Sequence, residues 1–146
     1  MTGHRVRKAN LVVVDDDPSI VRMLGHILNA RFSGELHIHC FTNSRDARDW
    51  ISRTRCDILL SDIEMPGIDG LEMLRFALSC NAWTRAICMT AHSTWDRIAA
   101  AIENGACDYL SKPIEQEILL EVVGQECARL ARWQKALREA CRAATC

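Results

Sequence analysis

The sequence has no long apolar segment and no excess of charge of either sign. Its longest uninterrupted apolar run is five residues, Ile98–Ile102, whereas a helix that crosses a membrane needs about 18 or more. Its 18 Lys and Arg residues against 19 Asp and Glu residues give a formal net charge of −1, and general nucleic-acid binders usually carry a large basic excess. We therefore expect no membrane span and no direct nucleic-acid binding by this chain.

The cysteine spacing of a zinc site or a disulfide framework is also missing. The eight cysteines include no C-x-x-C pair and no Cys/His cluster with metal-ligand spacing. Several lie in apolar stretches, as Cys88 does beside Ile87, where a thiol packs as a small hydrophobic group. The apolar stretch before the first acidic residues is too short for an export signal, so we expect reduced, mostly buried thiols in a cytoplasmic bacterial protein.

The charge is unevenly distributed along a chain of single-domain length. Residues 129–146 carry a net charge of +4 and residues 1–128 carry −5, in a total of 146 residues. We expect a basic N-terminal extension over residues 1–7, an acidic domain over 8–125, and a helical extension or linker over 126–146.

Short apolar runs alternate with stretches of helical periodicity along most of the chain. Five strands alternating with five helices predict an α/β fold, in which a parallel sheet is covered by helices on both faces. The predicted strands are 11–14, 35–41, 57–62, 85–90 and 107–111. The first helix is expected to begin at Pro18, the third after Gly70 and the fifth at Pro113. Ser44 is the expected cap of the second helix, and Ser93 or Thr94 that of the fourth.

Polar side chains stand at the end of four of these strands, as the last residue or directly after it. They are Asp15–Asp17, Asp62, Thr90 and Lys112. Ligands of such sheets bind outside the carboxyl ends of the strands, so these groups should share one crevice. Converging carboxylates repel one another unless cations offset their charge, and Mg²⁺ prefers oxygen ligands. The sequence therefore predicts a divalent-cation site beside a hydroxyl and an ammonium group.

Four stretches in the expected order resemble the receiver domain of two-component response regulators, over about residues 8–125. They are LVVVDDDP at 11–18, LSDIEMPGIDG at 60–70, MTA at 89–91 and GACDYLSKP at 105–113. The resemblance implies a doubly wound, flavodoxin-like, five-stranded parallel sheet with strand order 2-1-3-4-5, flanked by five helices. The helical periodicity of the C-terminal segment predicts that the last of these helices is extended.

The resemblance also implies roles for the residues at the strand ends. Asp62 would be the phosphoacceptor, whose carboxylate takes a phosphoryl group from a phosphohistidine of a sensor histidine kinase or phosphotransfer protein. Mg²⁺, or Mn²⁺ in its place, would be held by Asp15, Asp16, Asp62 and the backbone carbonyl of Glu64. Lys112 would pair with Asp62 at rest and with a phosphoryl oxygen afterwards.

A conformational switch is implied by the same resemblance. Thr90 would hydrogen-bond the phosphoryl group, and its movement would make room for Tyr109, the only tyrosine of the chain. The altered face would control an output domain or an effector protein. Ala91 is small enough to leave access to the phosphoacceptor, and the Lys112–Pro113 bond is expected to be cis.

Glu64 and His92 occupy two positions that vary across the family and tune the phosphoryl lifetime. An acid and an imidazole could position or exclude water near the phosphoryl group. They could equally be solvent-facing loop residues, and the sequence leaves both interpretations open.

The C-terminal segment shows a helical pattern that extends past the domain. Apolar and polar positions recur at alternating steps of four and three, at Val123, Cys127, Leu130, Gln134, Leu137 and Cys141. Such spacing is typical of a seam between two helices, so residues 123–141 could form a homodimer. The helix could also fold back on its own domain or lead as a signalling helix to an output domain.

Two alternatives to a phosphorylated signalling domain remain at this stage. The pattern Asp15-x-Asp17-x-Ser19 also fits haloacid-dehalogenase-type phosphatases, in which Asp15 would be the nucleophile, but that assignment leaves Asp62 unused. A non-phosphorylated interaction module is the other. We favour a signalling phosphoacceptor, whose only catalysis is weak self-phosphorylation and autodephosphorylation.

Overall fold

The computed structural model describes residues 8–144, so the predicted basic extension at 1–7 and Cys146 lie outside the described residues. Five strands alternate with five helices, as predicted. The elements are β1 (Ala9–Val14), α1 (Pro18–Phe32), β2 (Leu36–Phe41), α2 (Ser44–Arg53), β3 (Ile58–Asp62), α3 (Gly70–Cys80), β4 (Arg85–Thr90), α4 (Trp95–Glu103), β5 (Asp108–Ser111) and α5 (Gln116–Ala144).

The five strands form one parallel sheet in the order β2-β1-β3-β4-β5. The predicted fold class and strand order are thereby confirmed. The chain crosses from β1 to one neighbour, β2, and then returns to the other, β3. Ligand crevices of doubly wound sheets form where the strand order reverses, and here that point lies between the carboxyl ends of β1 and β3.

The central strands are buried on both faces, which accounts for their uninterrupted apolar runs. Leu11 and Val13 belong to a core with residues of α1 and α5. Val12 and Val14 belong to a second core with residues of α2, α3 and α4. The two-residue alternation of strand side chains thus gives each face of the sheet its own hydrophobic core.

The helix starts follow the expected capping chemistry, with one correction. Asp17 caps α1, and its side chain accepts the backbone N–H of Ser19. We predicted Ser44 as the cap of α2, but Asn43 has that role, because its side chain accepts the N–H groups of Arg45 and Asp46. The Ser44 hydroxyl instead accepts the backbone N–H of Ile68 at 3.3 Å.

Helix α5 begins at Gln116 rather than at the predicted Pro113, and it continues through Gly124 to Ala144. Its first part folds back on the domain. Val123 is fully buried, and Cys127 and Leu130 contact the core shared with α1. These three side chains thus pack at least partly against the chain's own domain, and a dimer through residues 123–141 stays a prediction. Past them, Trp133 and Leu137 are exposed.

Among the described residues, no helix combines the length and the apolar composition needed to cross a membrane.

The prediction of mostly buried thiols is also wrong. Cys56 and Cys88 are buried, whereas Cys40, Cys80 and Cys141 are exposed. The other two described cysteines, Cys107 and Cys127, are partly buried. No disulfide is formed by six of the described cysteines, which are Cys40, Cys56, Cys80, Cys88, Cys107 and Cys127. Apolar neighbours in the sequence alone did not separate the covered face of each element from its exposed face.

A buried ion pair attaches α5 to the amino end of β4. The Glu126 carboxylate is 2% exposed, and its Oε2 lies 2.7 Å from Arg85 Nε. Arg129 Nη1 lies 3.3 Å from the other oxygen. The hydrogen bond with Glu126 raises the pKa of Arg85 above its ordinary value. Burial raises the pKa of the neighbouring Cys107 thiol to about 12, so that thiol stays protonated.

We predict that Arg85→Met lowers the free energy of unfolding by about 2–4 kcal/mol, because it leaves the Glu126 charge buried with less compensation. Urea denaturation at neutral pH measures this value. Adding Glu126→Gln should recover part of the loss, since no buried charge then remains. Arg132→Ala, at an exposed position on the same helix, should change stability by less than about 0.5 kcal/mol. Equal losses in the single and double variants would contradict the prediction.

Candidate functional site

Three carboxylates meet at the carboxyl edge of the sheet. Val14 of β1 pairs with Ser61 of β3, so the residues that follow, Asp15 and Asp62, are neighbours. Carboxylate oxygens of Asp15, Asp16 and Asp62 all lie within 4.8 Å of one another. Asp15 is completely buried and Asp62 is 4% exposed, whereas Asp16 faces solvent. One side of the cluster is therefore open to water.

Lys112 supplies a cation to this cluster from β5, at the edge of the sheet. Its Nζ lies 2.7 Å from Asp15 Oδ2 and 3.1 Å from Asp62 Oδ2. Burial lowers the pKa of Lys112, but its hydrogen bonds with Asp15 and Asp62 outweigh that effect and leave the pKa above its ordinary value. The side chain is thus an ammonium ion at neutral pH.

The surroundings of Asp62 disfavour its ionised form. Burial raises the pKa of Asp62, and the charge of Asp15 raises it further. Lys112 opposes this shift, as does the backbone N–H of Glu64, which donates to Asp62 Oδ1 at 3.2 Å. The net direction is upward, so a carboxylate at this position would gain from an additional cation.

Gly70, the first residue of α3, explains how the loop after β3 fits beside Asp62. A Cβ at Gly70 would overlap the Asp62 carbonyl oxygen and the Ile63 backbone. Only glycine permits this close approach. Asp69 caps α3 by accepting the N–H groups of Leu71 and Glu72, which fixes the far end of the loop.

Thr90 and Tyr109 lie on neighbouring strands. The Thr90 hydroxyl, which is buried, donates to the carbonyl of His92 at 3.2 Å and accepts its N–H at 3.0 Å. Tyr109 on β5 is 37% exposed. The backbone N–H of Lys112 donates to the Thr90 carbonyl at 2.8 Å, which ties the ends of β4 and β5 together, and the Lys112–Pro113 peptide bond is cis.

A second group of charges lies beside the first, and the sequence did not predict one of its members. Arg97 Nη1 on α4 is 2.8 Å from Glu64 Oε1, and His92 Nε2 is 3.6 Å from Glu64 Oε2. Glu64 and His92 therefore face each other beside the acidic cluster. Arg97 could have been noticed because a basic residue in the first turn of a helix opposes the helix dipole and needs an anionic partner.

The phosphatase alternative is not favoured by the geometry. Asp15 accepts the backbone N–H of Asp17 at 2.9 Å on Oδ1 and contacts Lys112 on Oδ2, so both oxygens are engaged in a buried position. The Asp17 side chain accepts the Ser19 hydroxyl at 2.6 Å as the cap of α1, and this bond lowers the pKa of Asp17. Asp17 is therefore accounted for as the helix cap.

The donor set fits a hard divalent cation. The ligand atoms on offer are carboxylate oxygens, which Mg²⁺ and Mn²⁺ accept. Three carboxylates against the single ammonium of Lys112 leave an excess of negative charge that a divalent ion would offset. The exposed side at Asp16 leaves room for the water ligands that Mg²⁺ retains.

We predict that Asp62→Asn raises the free energy of unfolding by about 0.5–2 kcal/mol at pH 7 without divalent cations, because it removes one of the crowded charges. Because the pKa of folded Asp62 is raised, the folded carboxyl holds its proton more tightly than the unfolded one. The stability from that proton is lost as pH rises through the folded-state pKa. The advantage of the variant should therefore vanish in acid and appear as pH rises.

Thermal or urea denaturation across pH measures this difference, with Asp49→Asn at an exposed position of α2 as the matched control. Saturating Mg²⁺ should stabilise the wild type more than Asp62→Asn, since a ligand stabilises the form that binds it better. A variant that is less stable than the wild type at every pH would contradict the prediction.

Comparisons with known proteins agree with this site. The family model of the response regulator receiver domain matches residues 11–124. The transcriptional regulator NtrC of Escherichia coli K12 is 39% identical over 103 residues, which cover 70% of this chain and 21% of NtrC. The cyclic di-GMP phosphodiesterase response regulator RpfG of Xanthomonas campestris is 37% identical over 107 residues, which cover 72% of this chain and 28% of RpfG.

A solved structure shows the same fold. The signal receiver domain of a LuxO repressor protein from Vibrio parahaemolyticus superposes with a TM-score of 0.79 at 24% identity, covering 90% of this chain and 98% of that one. The present chain spans about a quarter of the length of these two curated relatives, 21% of NtrC and 28% of RpfG. It spans 98% of the receiver structure. The chain belongs to the response regulator receiver domain family of two-component signal transduction.

Proposed function

We propose that Asp62 is the phosphoacceptor of this receiver domain. The observation that carries the proposal is the meeting of Asp15, Asp16 and Asp62 with the Lys112 ammonium at one edge of the sheet. The Asp62 carboxylate forms an O–P bond while the P–N bond of a phosphohistidine breaks. The electron pair stays on the imidazole nitrogen of a sensor histidine kinase or phosphotransfer protein, and Asp62 becomes an acyl phosphate.

In phosphoryl transfer the protein mainly positions the reacting groups and neutralises the charge of the phosphoryl oxygens. Asp15, Asp16 and Asp62, with the Glu64 backbone carbonyl, would hold Mg²⁺ or Mn²⁺. That ion, when bound, offsets the charge that develops on the phosphoryl oxygens. Lys112 contacts both buried carboxylates at rest, and after transfer it moves its charge to a phosphoryl oxygen.

Thr90 and Tyr109 form the switch in this proposal. The Thr90 hydroxyl gives up its bond to the His92 carbonyl and donates to a phosphoryl oxygen. Its displacement leaves space that the half-buried ring of Tyr109 can enter. Ala91, at an exposed position after β4, has no side chain that would obstruct the approach of the donor to Asp62.

Glu64 and His92 are proposed to tune the lifetime of the phosphoryl group. Their mutual contact at 3.6 Å supports a joint action on the water that reaches Asp62. Glu64 is the more enclosed of the two, with its Oε1 buried and 35% of its side chain exposed, whereas the His92 side chain is 63% exposed and faces solvent.

The output is proposed to be a downstream domain or a separate effector protein. NtrC is a DNA-binding transcriptional regulator and RpfG is a cyclic di-GMP phosphodiesterase response regulator, so related receiver domains serve different outputs. Residues 126–146 are proposed to act as the extension that leads from the receiver at 8–125. Contact with a second copy would fall to the distal positions near Leu137, where side chains are exposed.

We predict that a radiolabelled small acyl phosphate with Mg²⁺ labels the wild type in a hydroxylamine-sensitive bond, and that Asp62→Asn abolishes the label. Asp15→Asn should slow labelling by about tenfold or more without abolishing it, because it weakens metal binding. Asp49→Asn is the matched control. Steady hydrolysis of phosphate esters that survives Asp62→Asn would instead support the phosphatase, and a folded wild type that takes no label would support a non-phosphorylated interaction module.

We predict that Tyr109 reports the switch. A protein labelled with ¹³C at the tyrosine ring gives the resonances of one residue, since Tyr109 is the only tyrosine. Mg²⁺ with the phosphoryl mimic fluoroberyllate should shift these resonances in the wild type and not in Asp62→Asn. Thr90→Ala should bind fluoroberyllate but lose most of the shift. An unchanged shift in Thr90→Ala would show that Tyr109 moves independently of Thr90.

A further inference from the structure

The first turn of α4 contains a basic residue at a place where helix electrostatics oppose one. Arg97 is the third residue of α4, and Thr94 caps the helix. The aligned peptide dipoles leave partial positive charge at a helix N-terminus, so a cation there is unfavourable unless an anion offsets it. Asp96 lies in the same turn, and Glu64 is the anion that contacts the guanidinium, with 2.8 Å between Arg97 Nη1 and Glu64 Oε1.

This ion pair joins the two segments that frame the acidic site. Glu64 follows β3, which ends at Asp62, and its backbone N–H donates to Asp62 Oδ1 at 3.2 Å. Arg97 belongs to the helix that follows β4, which ends at Thr90. The Glu64 oxygen that faces Arg97 is buried and has no hydrogen-bond partner, so the charge of Arg97 is what offsets it, although the two side chains are 35% and 41% exposed overall.

We propose that Arg97 is a positioning residue for phosphorylation. Its guanidinium neutralises the Glu64 carboxylate and holds it toward α4. The inference rests on the proposed role of Asp62 as the phosphoacceptor. A phosphoryl donor is an anion, and it approaches a cluster that already contains three carboxylates. With Arg97 in place, Glu64 does not add an uncompensated fourth charge beside Asp62.

His92 is the weaker partner of Glu64. Its Nε2 lies 3.6 Å from Glu64 Oε2, which is longer than a hydrogen bond, and its side chain is 63% exposed. The orientation of the Glu64 carboxylate therefore depends on Arg97. The two side chains near Glu64 thus have separate roles. Arg97 neutralises the charge of the Glu64 carboxylate, and His92 borders that carboxylate on the solvent side.

The test is the rate at which acetyl phosphate, a small anionic donor, labels the Mg²⁺-loaded protein. Arg97→Ala should slow labelling by about two- to fivefold at low ionic strength, and added salt should reduce the difference. Arg97→Lys should restore most of the rate. In a Glu64→Gln background, which keeps the backbone carbonyl at that position, Arg97→Ala should have no effect because no charge remains to be neutralised.

Arg132→Ala removes the same charge from an exposed position on the distal part of α5 and should leave the rate unchanged. An equal slowing by Arg97→Ala in the Glu64 and Glu64→Gln backgrounds would assign Arg97 a merely structural role in α4 and overturn the proposal. An unchanged rate in Arg97→Ala alone would overturn it as well. Failure of the proposed function gives a different result, namely labelling that persists in Asp62→Asn whatever residue occupies position 97.

Discussion

The attraction between Lys112 and two buried carboxylates is the interaction on which the site depends. Asp15 and Asp62 are brought together by the pairing of β1 with β3, and their like charges would repel in a region shielded from water. The Lys112 ammonium contacts both and makes their juxtaposition tolerable. Since one cation does not balance three carboxylates, the resting site retains a negative potential that favours binding of a divalent ion.

The three carboxylates differ in burial and in the contacts that hold them. Both oxygens of Asp15 are engaged, by the Asp17 N–H and by Lys112, so this carboxylate is held in place. Asp16 is exposed and can adjust to an ion that retains water. Asp62 is buried and its pKa is raised, which means that its charged form is disfavoured there. A carboxylate in that position gains when cations approach.

The sequence predicted the residues at the strand ends well because the carboxyl ends of parallel β-strands all lie at one edge of the sheet. Apolar runs such as Leu11–Val14 locate buried strands, and the residue that follows each run must lie at the same edge of the sheet. Contacts between distant segments follow no such rule. Arg97 and Glu64 are separated by a helix and a strand, and Glu126 of α5 contacts Arg85 of β4 across a gap of 41 residues in the sequence. The heptad-like spacing in α5 was equally consistent with a dimer seam and with packing against the domain, and the structure buries Val123 in the domain core.

The anchoring of the helices decides which of them can respond to a change at Asp62. Helix α5 is tied to β4 by the buried Glu126 and contributes Leu119 to the core, so its first part moves with the sheet. Helix α4 has Ala101 as its buried residue, and an element with few buried contacts is displaced at low cost. Its first turn is bound to the site through Arg97 and Glu64. Of these two helices, α4 is therefore the one less deeply anchored in the core and the one whose first turn contacts the site, whereas the first part of α5 is fixed to the sheet.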